Sequence, residues 1–196
     1  MTREETQARI VDAAFKALVE GGYHETSMKD IASEAGVATG LAHYYFESKE
    51  ELLLAALMKG CPLPDLRLEG ISGLEQARLG FASEREGMIW NSDAYKAVFE
   101  MVGVGMHNQR VAETLRRFFE TRRALVIEIS EAVLADAPAP ARTGAKNVGA
   151  AIFSAFLGIA LQRLIDPGFD GQGALDALEE MSMLAATASA PQPGEE

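Results

Sequence analysis

Cysteine is almost absent from this sequence, and its absence removes whole classes of site. Cys61 is the only cysteine, so no disulfide can form within the chain and no cysteine-rich metal site can exist. The three histidines, His24, His43 and His107, are too widely spaced in sequence to indicate a cluster. We therefore expect a reduced thiol in a cytoplasmic protein, with no metal and no other cofactor.

The fingerprints of common enzyme classes are also missing. The chain contains no G-x-S-x-G turn, no H-E-x-x-H zinc motif, no P-loop and no dinucleotide-binding glycine pattern. We expect a protein that is not an enzyme. A helical-bundle enzyme remains the less favoured alternative.

Long apolar runs are scarce. The most apolar stretch, residues 148–161, falls short of the roughly 20 residues that a membrane-spanning helix requires. No charged segment followed by an apolar one indicates a signal peptide at the start. We expect the apolar stretch to form a buried core helix, and we expect no membrane partner.

Strand-like alternation of apolar and polar residues is nearly absent, so the sequence predicts an all-α fold of about nine helices. The hydrophobic fraction of 48% is typical of a folded protein with a real core. Gly60, Pro62 and Pro64 interrupt the helical pattern and predict a domain boundary. We expect an N-terminal three-helix domain at 1–60, a helical bundle at 61–188, and a disordered tail at 189–196.

Positive charge is in short supply. The chain has 18 Lys+Arg against 29 Asp+Glu, a net charge of −11, and residues 1–60 are themselves acidic overall. Because counterion release by basic residues supplies much of the affinity of proteins for nucleic acid, charge alone argues against that partner. Any such binding should be modest for non-specific sequences and should weaken sharply with salt.

The stretch 26–52 nevertheless predicts a specific structure. Apolar residues at helical spacing follow Thr26 and Ser27, which can cap a helix, and Gly36 then suits the left-handed end of that helix. A second short helix follows, and Ser48 with Glu51 predicts a capping box for a third. Two short helices across a glycine turn form a helix-turn-helix, whose second helix can enter a major groove.

Residues 8–55 resemble the N-terminal domain of the tetracycline-repressor (TetR) family of bacterial regulators. The pattern GVxxGxxxxYFxSKEEL from Gly36 to Leu52 carries the resemblance, together with the first helix around Ile10, Ala14 and Phe15. The segments GLAHYYF and LQRLIDPGFD are similar to the choline-regulation (BetI-like) branch. The resemblance implies a ligand-responsive transcriptional regulator, which we expect to be a repressor that binds an inverted-repeat operator.

The family's DNA-facing positions can be carried over one by one. They fall on Ser27, Lys29, Thr39, Gly40, Leu41, His43, Tyr44 and Lys49. Ser27, Tyr44 and Lys49 would hold phosphates, whereas Lys29, Thr39 and Leu41 would meet base edges. Leu41 replaces a commonly polar residue, Ala42 a larger core residue and His43 a common tyrosine, so the choice between His43 and Tyr44 for the phosphate stays open.

Two helices near the end of the chain predict self-association. Residues 147–165 are apolar nearly all round, and residues 174–188 carry an apolar stripe. Paired across a two-fold axis, they would form the four-helix interface of a homodimer, as the resemblance also implies. The alternative is that they close the core of a monomer.

The resemblance further implies a small-molecule sensor in the C-terminal domain. Aromatic residues, methionines and one histidine there predict a mainly apolar ligand, although many such residues belong to an ordinary core. The candidates are Trp90, Phe99, Met101, Met106, His107, Phe118, Phe119, Phe153 and Phe156. An effector-independent structural DNA-binding protein is the alternative function.

Overall fold

The computed structural model describes residues 2–66, 70–90, 92–137 and 143–187, with the side chains of 88–90 and 185–187 left out. Over these ranges the chain is helical and contains no strand, which confirms the all-α prediction. The helices are α1 (Arg3–Glu25), α2 (Met28–Glu34), α3 (Thr39–Tyr45), α4 (Lys49–Gly60), α5 (Gly73–Trp90), α6 (Ser92–Gly105), α7 (Gln109–Ala135), α8 (Ala145–Ile165) and α9 (Gly171–Thr187). The predicted tail at 189–196 lies outside the described residues.

The chain divides into two compact units, and each unit consists of two separate segments of the sequence. Unit 1 comprises Met1–Pro62 and Asn91–Glu120, and unit 2 comprises Leu63–Trp90 and Thr121–Glu196. Thus α6 and the first part of α7 pack with the N-terminal helices. The functional division at residues 60–61 stays a prediction.

Helix α1 is the central element of unit 1. It packs against α2, α4 and α6, and its Ile10, Ala14 and Leu18 are almost fully buried. Met101 of α6 and Phe118 of α7 complete the same core. Since burying an aliphatic or aromatic side chain contributes about 1.5–3 kcal/mol, this cluster provides the stability that short helices such as α2 and α3 lack.

Helix α1 is longer than its sequence pattern predicts. The tandem glycines after Glu20 predict a stop, but the helix continues to Glu25 across a kink at Gly22. Gly22 has φ of 73° and ψ of 178°, a conformation that favours glycine. The kink directs the last turn of α1, with Tyr23, toward the start of α4.

Unit 2 packs α5, the second part of α7, α8 and α9. Phe81 and Phe156 meet edge to face with ring centroids 5.3 Å apart. Arg85 of α5 forms ion pairs with Asp176 (Nε to Oδ1, 2.8 Å) and Glu179 of α9. Apolar packing and a half-buried charge cluster therefore join the elements of this unit.

Helix α8 is buried on one side only. Phe153, Phe156 and Ile159 are buried, but Leu161 and Ile165 are 39% and 74% exposed. The helix has 21 residues and, among the described helices, is the one whose length and apolar composition would suffice to cross a membrane, with only 28% of its most apolar window buried. The prediction of a core helix therefore holds for one face, and the opposite face lacks a cover within the described part of the chain.

Gly149 permits the closest approach between α8 and α7. A Cβ atom at this position would lie 2.7 Å from Cα of Ile127, which is backbone and cannot rotate away. We expect Gly149→Ala to lower the free energy of unfolding by about 1–3 kcal/mol, measured by chemical denaturation. Gly87→Ala on α5, where nothing lies within 4 Å, is the control and should be neutral or stabilising by up to about 1 kcal/mol. Equal effects of the two substitutions would contradict the close approach.

Candidate nucleic-acid interface

Ser27 fixes the start of α2. Its backbone is extended, and its hydroxyl accepts a hydrogen bond from the amide of Asp30 at 3.2 Å. The same hydroxyl donates to the Asp30 carboxylate. The predicted cap is confirmed at Ser27. Thr26 instead donates its hydroxyl to the carbonyl of Gly22 at 2.7 Å, which closes the last turn of α1.

The turn between α2 and α3 depends on Gly36 and Arg9. Gly36 has φ of 63°, as predicted for a left-handed helix end, and the amide of Val37 donates to the carbonyl of Ala32 at 2.9 Å. Arg9 of α1 donates from Nη2 to the carbonyl of Ala35. A side chain of α1 thus holds the C-terminal end of α2.

Helix α3 has one buried face and one open face. Ala42 is fully buried and Phe46, just after the helix, is 4% exposed, so both anchor the helix in the core of unit 1. On the open face Leu41 is 38% and Tyr44 is 68% exposed. Thr39 is half-buried, and Gly40 and His43 are exposed. The predicted base-reading and phosphate candidates of α3 therefore share one surface, and a Cβ atom at Gly40 would meet nothing within 4 Å.

The helix-turn-helix also leaves Lys29 exposed in the first turn of α2. Its ammonium makes no hydrogen bond or ion pair with the described residues. Ser27, by contrast, is engaged with Asp30. The roles assigned to these residues toward DNA stay predictions.

Lys49 lies at the start of α4, but its ammonium is occupied within unit 1. Nζ donates to the carbonyl of Tyr23 at 2.8 Å and to the carbonyl of Thr26 at 3.0 Å. It also lies 3.6 Å from the centroid of the Tyr23 ring. Burial lowers the pKa of Lys49, with the neighbouring Glu50 charge acting in the opposite direction. We call this arrangement of Lys49, Tyr23 and Thr26 the Lys49 clamp.

A second bond reinforces the Lys49 clamp. The Tyr23 hydroxyl donates to Oε1 of Glu50 at 2.7 Å. Burial, aided by this hydrogen bond, raises the pKa of Tyr23 to about 12. Burial opposes ionisation of Glu50, but the hydrogen bond from Tyr23, with the charges of Lys49 and Arg110, lowers its pKa overall. Glu50 is therefore a charged acceptor at neutral pH.

Sequence reasoning missed this role of Lys49 because its partners, Tyr23 and Thr26, precede it in the sequence by 26 and 23 positions. The available indication was Gly22, whose conformation turns Tyr23 toward α4. The capping box was predicted more closely. Ser48 accepts from the Glu51 amide at 3.1 Å, but the Glu51 carboxylate accepts from the Glu47 amide, one residue before the expected position.

The candidate sensor residues do not share one environment. Phe118 belongs to the core of unit 1 with Met101, and Phe99 and Phe119 of the same unit are half-buried. Met106 is 75% exposed and His107 is exposed, both in the turn after α6. The remaining candidates lie in unit 2, where Phe153 and Phe156 are each 8% exposed, whereas the side chain of Trp90 lies outside the described residues. A common ligand site for these residues stays a prediction.

Comparison with known proteins identifies the N-terminal segment. Residues 10–56 match the family model described as bacterial regulatory proteins, tetR family. The regulator BetI of Agrobacterium fabrum is 43% identical over 68 residues, which cover 35% of this chain and 32% of that protein. The fatty acid metabolism regulator protein of Bacillus subtilis is 43% identical over 47 residues, 24% of each chain. The chain thus matches about a third or less of the length of these curated relatives.

The fold likeness extends much further than the sequence likeness. A putative TetR-family transcriptional regulator from Rhodococcus sp. superposes with a TM-score of 0.79, covering 94% of this chain and 100% of that chain. The sequence identity is 17%, so this likeness concerns the fold alone. The likeness in fold therefore extends beyond residue 56, while the function of that protein remains its own.

The Tyr23–Glu50 hydrogen bond yields a test of how the clamp is held. Tyr23→Phe should lower the free energy of unfolding at neutral pH by about 1.5–3 kcal/mol, because a hydrogen bond to a charged acceptor is lost. A carboxyl whose folded-state pKa is lowered stabilises the fold above its unfolded-state pKa, and that contribution is lost as pH falls through the folded-state pKa. The difference between the variant and the unaltered protein should therefore shrink in acid.

Denaturation curves of both proteins between neutral and acidic pH measure this difference. Tyr45→Phe is the control, since the Tyr45 hydroxyl makes no hydrogen bond with the described residues. A pH-independent difference would contradict the charged Tyr23–Glu50 bond.

Proposed function

We propose, from the match of residues 10–56 to the tetR family of bacterial regulatory proteins, that the chain is a homodimeric transcriptional regulator that binds an inverted-repeat operator. In this proposal it acts as a repressor and is released from DNA by a small, mainly apolar effector. The observation that carries the proposal is the open face of α3, which is anchored from behind by Ala42 and Phe46.

The residues of that face suit a major groove. Gly40 lets the helix backbone approach the DNA closely, and the exposed Leu41 can contact the methyl group of thymine. Thr39 can bond to a base edge, and Lys29 supplies an exposed cation at the start of α2. Tyr44 is the stronger phosphate candidate in our proposal, with His43 beside it on the exposed surface.

Lys49 contributes indirectly in this proposal. Two of its three ammonium donors are already bonded to the carbonyls of Tyr23 and Thr26. Its role is then to hold the end of α1 and the start of α2 against α4. The orientation of the helix-turn-helix then depends on Lys49, whether or not Lys49 also contacts a DNA phosphate.

The open face of α8 supports a dimer. Ala151, Ser154, Gly158, Leu161 and Ile165 recur at alternating spacings of three and four residues, which is the geometry of a helix-packing seam. Nothing lies within 4 Å of a Cβ position at Gly158, so another helix can approach there. Helix α9, which packs against α8, adds its own exposed residues. The apolar ones among them are Ala177, Met181 and Leu184.

A second copy of the chain is the occupant we propose for this surface. An isologous two-fold interface would cover the exposed apolar residues of α8 and α9 with the same residues of the partner. It would also present two copies of α3 to successive major grooves, which is the reason to expect an inverted repeat.

Unit 2 supports an apolar effector. Its interior is built from aromatic and aliphatic side chains, with Phe81, Phe153 and Phe156 buried together with Ile129 and Leu175. A ligand bound within an interior of this kind would have few polar groups. The B. subtilis relative is named for fatty acid metabolism, which makes a fatty acid the first apolar probe.

The DNA-binding proposal is tested with the DNA flanking the protein's own gene. Fluorescence anisotropy should show saturable binding to one inverted repeat that weakens sharply as salt is raised. Leu41→Ala should weaken operator binding about thirtyfold, because a dimer loses one base contact of about 1 kcal/mol in each half-site, and should leave binding to unrelated DNA unchanged. Leu79→Ala, at a leucine of α5 that is 42% exposed, is the matched control and should bind as the unaltered protein does.

Failure to bind any fragment above non-specific competitor, even at low salt, would overturn the regulator proposal. Given operator binding, addition of a long-chain fatty acid should release the DNA, whereas choline, a small cation, should not. Release by choline alone would replace the apolar effector with a cationic one. Indifference to every ligand would favour the effector-independent DNA-binding protein.

The proposed dimer is tested by a charge on its surface. Leu161→Glu should convert the protein to monomers in analytical ultracentrifugation, since a carboxylate in an apolar helix seam would lose its water. Leu79→Glu, at an exposed leucine of α5, is the matched control and should remain dimeric. A monomeric unaltered protein, or a dimeric Leu161→Glu variant, would contradict the α8–α9 interface.

A further inference from the structure

The lysines and arginines of the N-terminal helices are mostly occupied. Residues 2–60 contain Arg3, Arg9, Lys16, Lys29, Lys49 and Lys59. Lys16 pairs with Glu34 at 2.6 Å and Lys59 pairs with Asp12 at 2.5 Å. Arg9 is bonded to the carbonyl of Ala35, and Lys49 belongs to its clamp. Only Arg3 and Lys29 form no hydrogen bond or ion pair with the part of the chain that the structure describes.

Of these two cations, Lys29 is among the DNA-facing positions that the family resemblance implies, and Arg3 is not. It lies in the first turn of α1 and is exposed. Its guanidinium carbon is 5.7 Å from the ring centroid of Tyr44 and 5.9 Å from that of Tyr45. These distances are within the range of about 6 Å at which a cation is attracted by an aromatic ring. Arg3 therefore lies beside the open face of α3, although the two are far apart in sequence.

The stability of α1 gives no reason for a cation at this place. The N-terminal turn of a helix carries a partial positive charge, which disfavours a neighbouring cation. The cap of α1 is made instead by Thr2 and Glu5, whose mutual hydrogen bonds are 3.2 Å and 2.7 Å long. Arg3 takes no part in that cap.

The chemistry of the side chain indicates what it could bind. A guanidinium that rests against an aromatic ring keeps its N–H donors available at its edge, where they match two oxygens of a phosphate. The tyrosine beneath it, Tyr44, is 68% exposed and is our candidate for a phosphate contact. The nearest acidic neighbours in sequence, Glu4 and Glu5, form no ion pair with Arg3 among the described contacts.

We propose that Arg3 is a DNA-phosphate contact, held beside the reading helix by Tyr44 and Tyr45. The proposal rests on the DNA-binding function proposed above and adds a residue to it. Arg3 and Tyr44 bind the DNA backbone as one unit in each protomer. In a chain of net charge −11, Arg3 and Lys29 provide the main electrostatic attraction of the helix-turn-helix for DNA.

Arg3→Gln (R3Q) tests the proposal by its effect on salt dependence. Operator binding by the 196-residue protein is measured by anisotropy from low to moderate salt, with unrelated duplex DNA measured in parallel. R3Q should weaken binding to both DNAs by the same factor, about tenfold at low salt. The slope of log affinity against log salt should decrease in magnitude by about 2 for a dimer, one phosphate contact being lost in each protomer.

Two further variants separate charge from packing. Arg3→Lys should keep the salt slope, because the charge remains, while losing part of the affinity with the planar contact. Lys96→Gln removes the same charge from α6, where the ammonium is bonded to Asp93 at 2.9 Å, and should leave the slope unchanged. In a double-mutant cycle, R3Q should cost less in a Tyr44→Ala background than in the unaltered protein.

The outcomes distinguish the two proposals. Operator binding with an unchanged salt slope in R3Q would overturn the phosphate contact and leave the regulator proposal standing. A lowered melting temperature of R3Q with unchanged DNA binding would show a packing role only and would also overturn it. Additive effects in the cycle would overturn the joint action with Tyr44. The absence of DNA binding by the unaltered protein would overturn the regulator proposal and, with it, the role of Arg3.

Discussion

The ammonium of Lys49 joins two backbone carbonyls and an aromatic ring, and the orientation of the helix-turn-helix depends on that junction. Helix α1 must end, turn and release the chain into α2 within a few residues. Gly22 permits the turn, and the carbonyls of Tyr23 and Thr26, which it brings to the start of α4, converge on one cation. A half-buried ammonium is costly unless it is satisfied, so the clamp favours a single geometry. Arg9 acts in the same way at the other end of α2.

The parts of the fold that depend on neighbouring residues were readable from the sequence. Ser27 and Ser48 cap their helices within three residues, and Gly36 takes its left-handed conformation for a local steric reason. Long-range features were not readable. Neither the engagement of Lys49 nor the packing of α6 with the N-terminal helices follows from periodicity, because both depend on which faces meet after folding.

The candidate site shows the same limit. The family resemblance predicts DNA-facing residues on α3, and Leu41 and Tyr44 are exposed there. Arg3 could not be found in this way, since its relation to Tyr44 is visible only after α1 and α3 are packed. For the sensor the composition was least informative. Aromatic residues at helical spacing suit a core and a ligand site equally, and Phe118 proves to be part of the core of unit 1.

For the DNA binding that we propose, this acidic chain has few cations available. Most lysines and arginines of the N-terminal helices hold the fold together, through ion pairs or through bonds to carbonyls. Few cations remain available to bind DNA, and our proposals place these cations at the edge of α3. Weak general attraction then leaves discrimination to the base contacts, which suits a protein that must find one site among many.

The uncovered apolar seam on α8 has a consequence for gene dosage. If two copies must join through it before the operator is bound, the amount of active species at low abundance varies with the square of the number of chains in the cell. A modest change in expression would then produce a steeper change in promoter occupancy. The exposed side chains of Leu161 and Ile165, which a single copy leaves in water, would in this way set the sharpness of the genetic response.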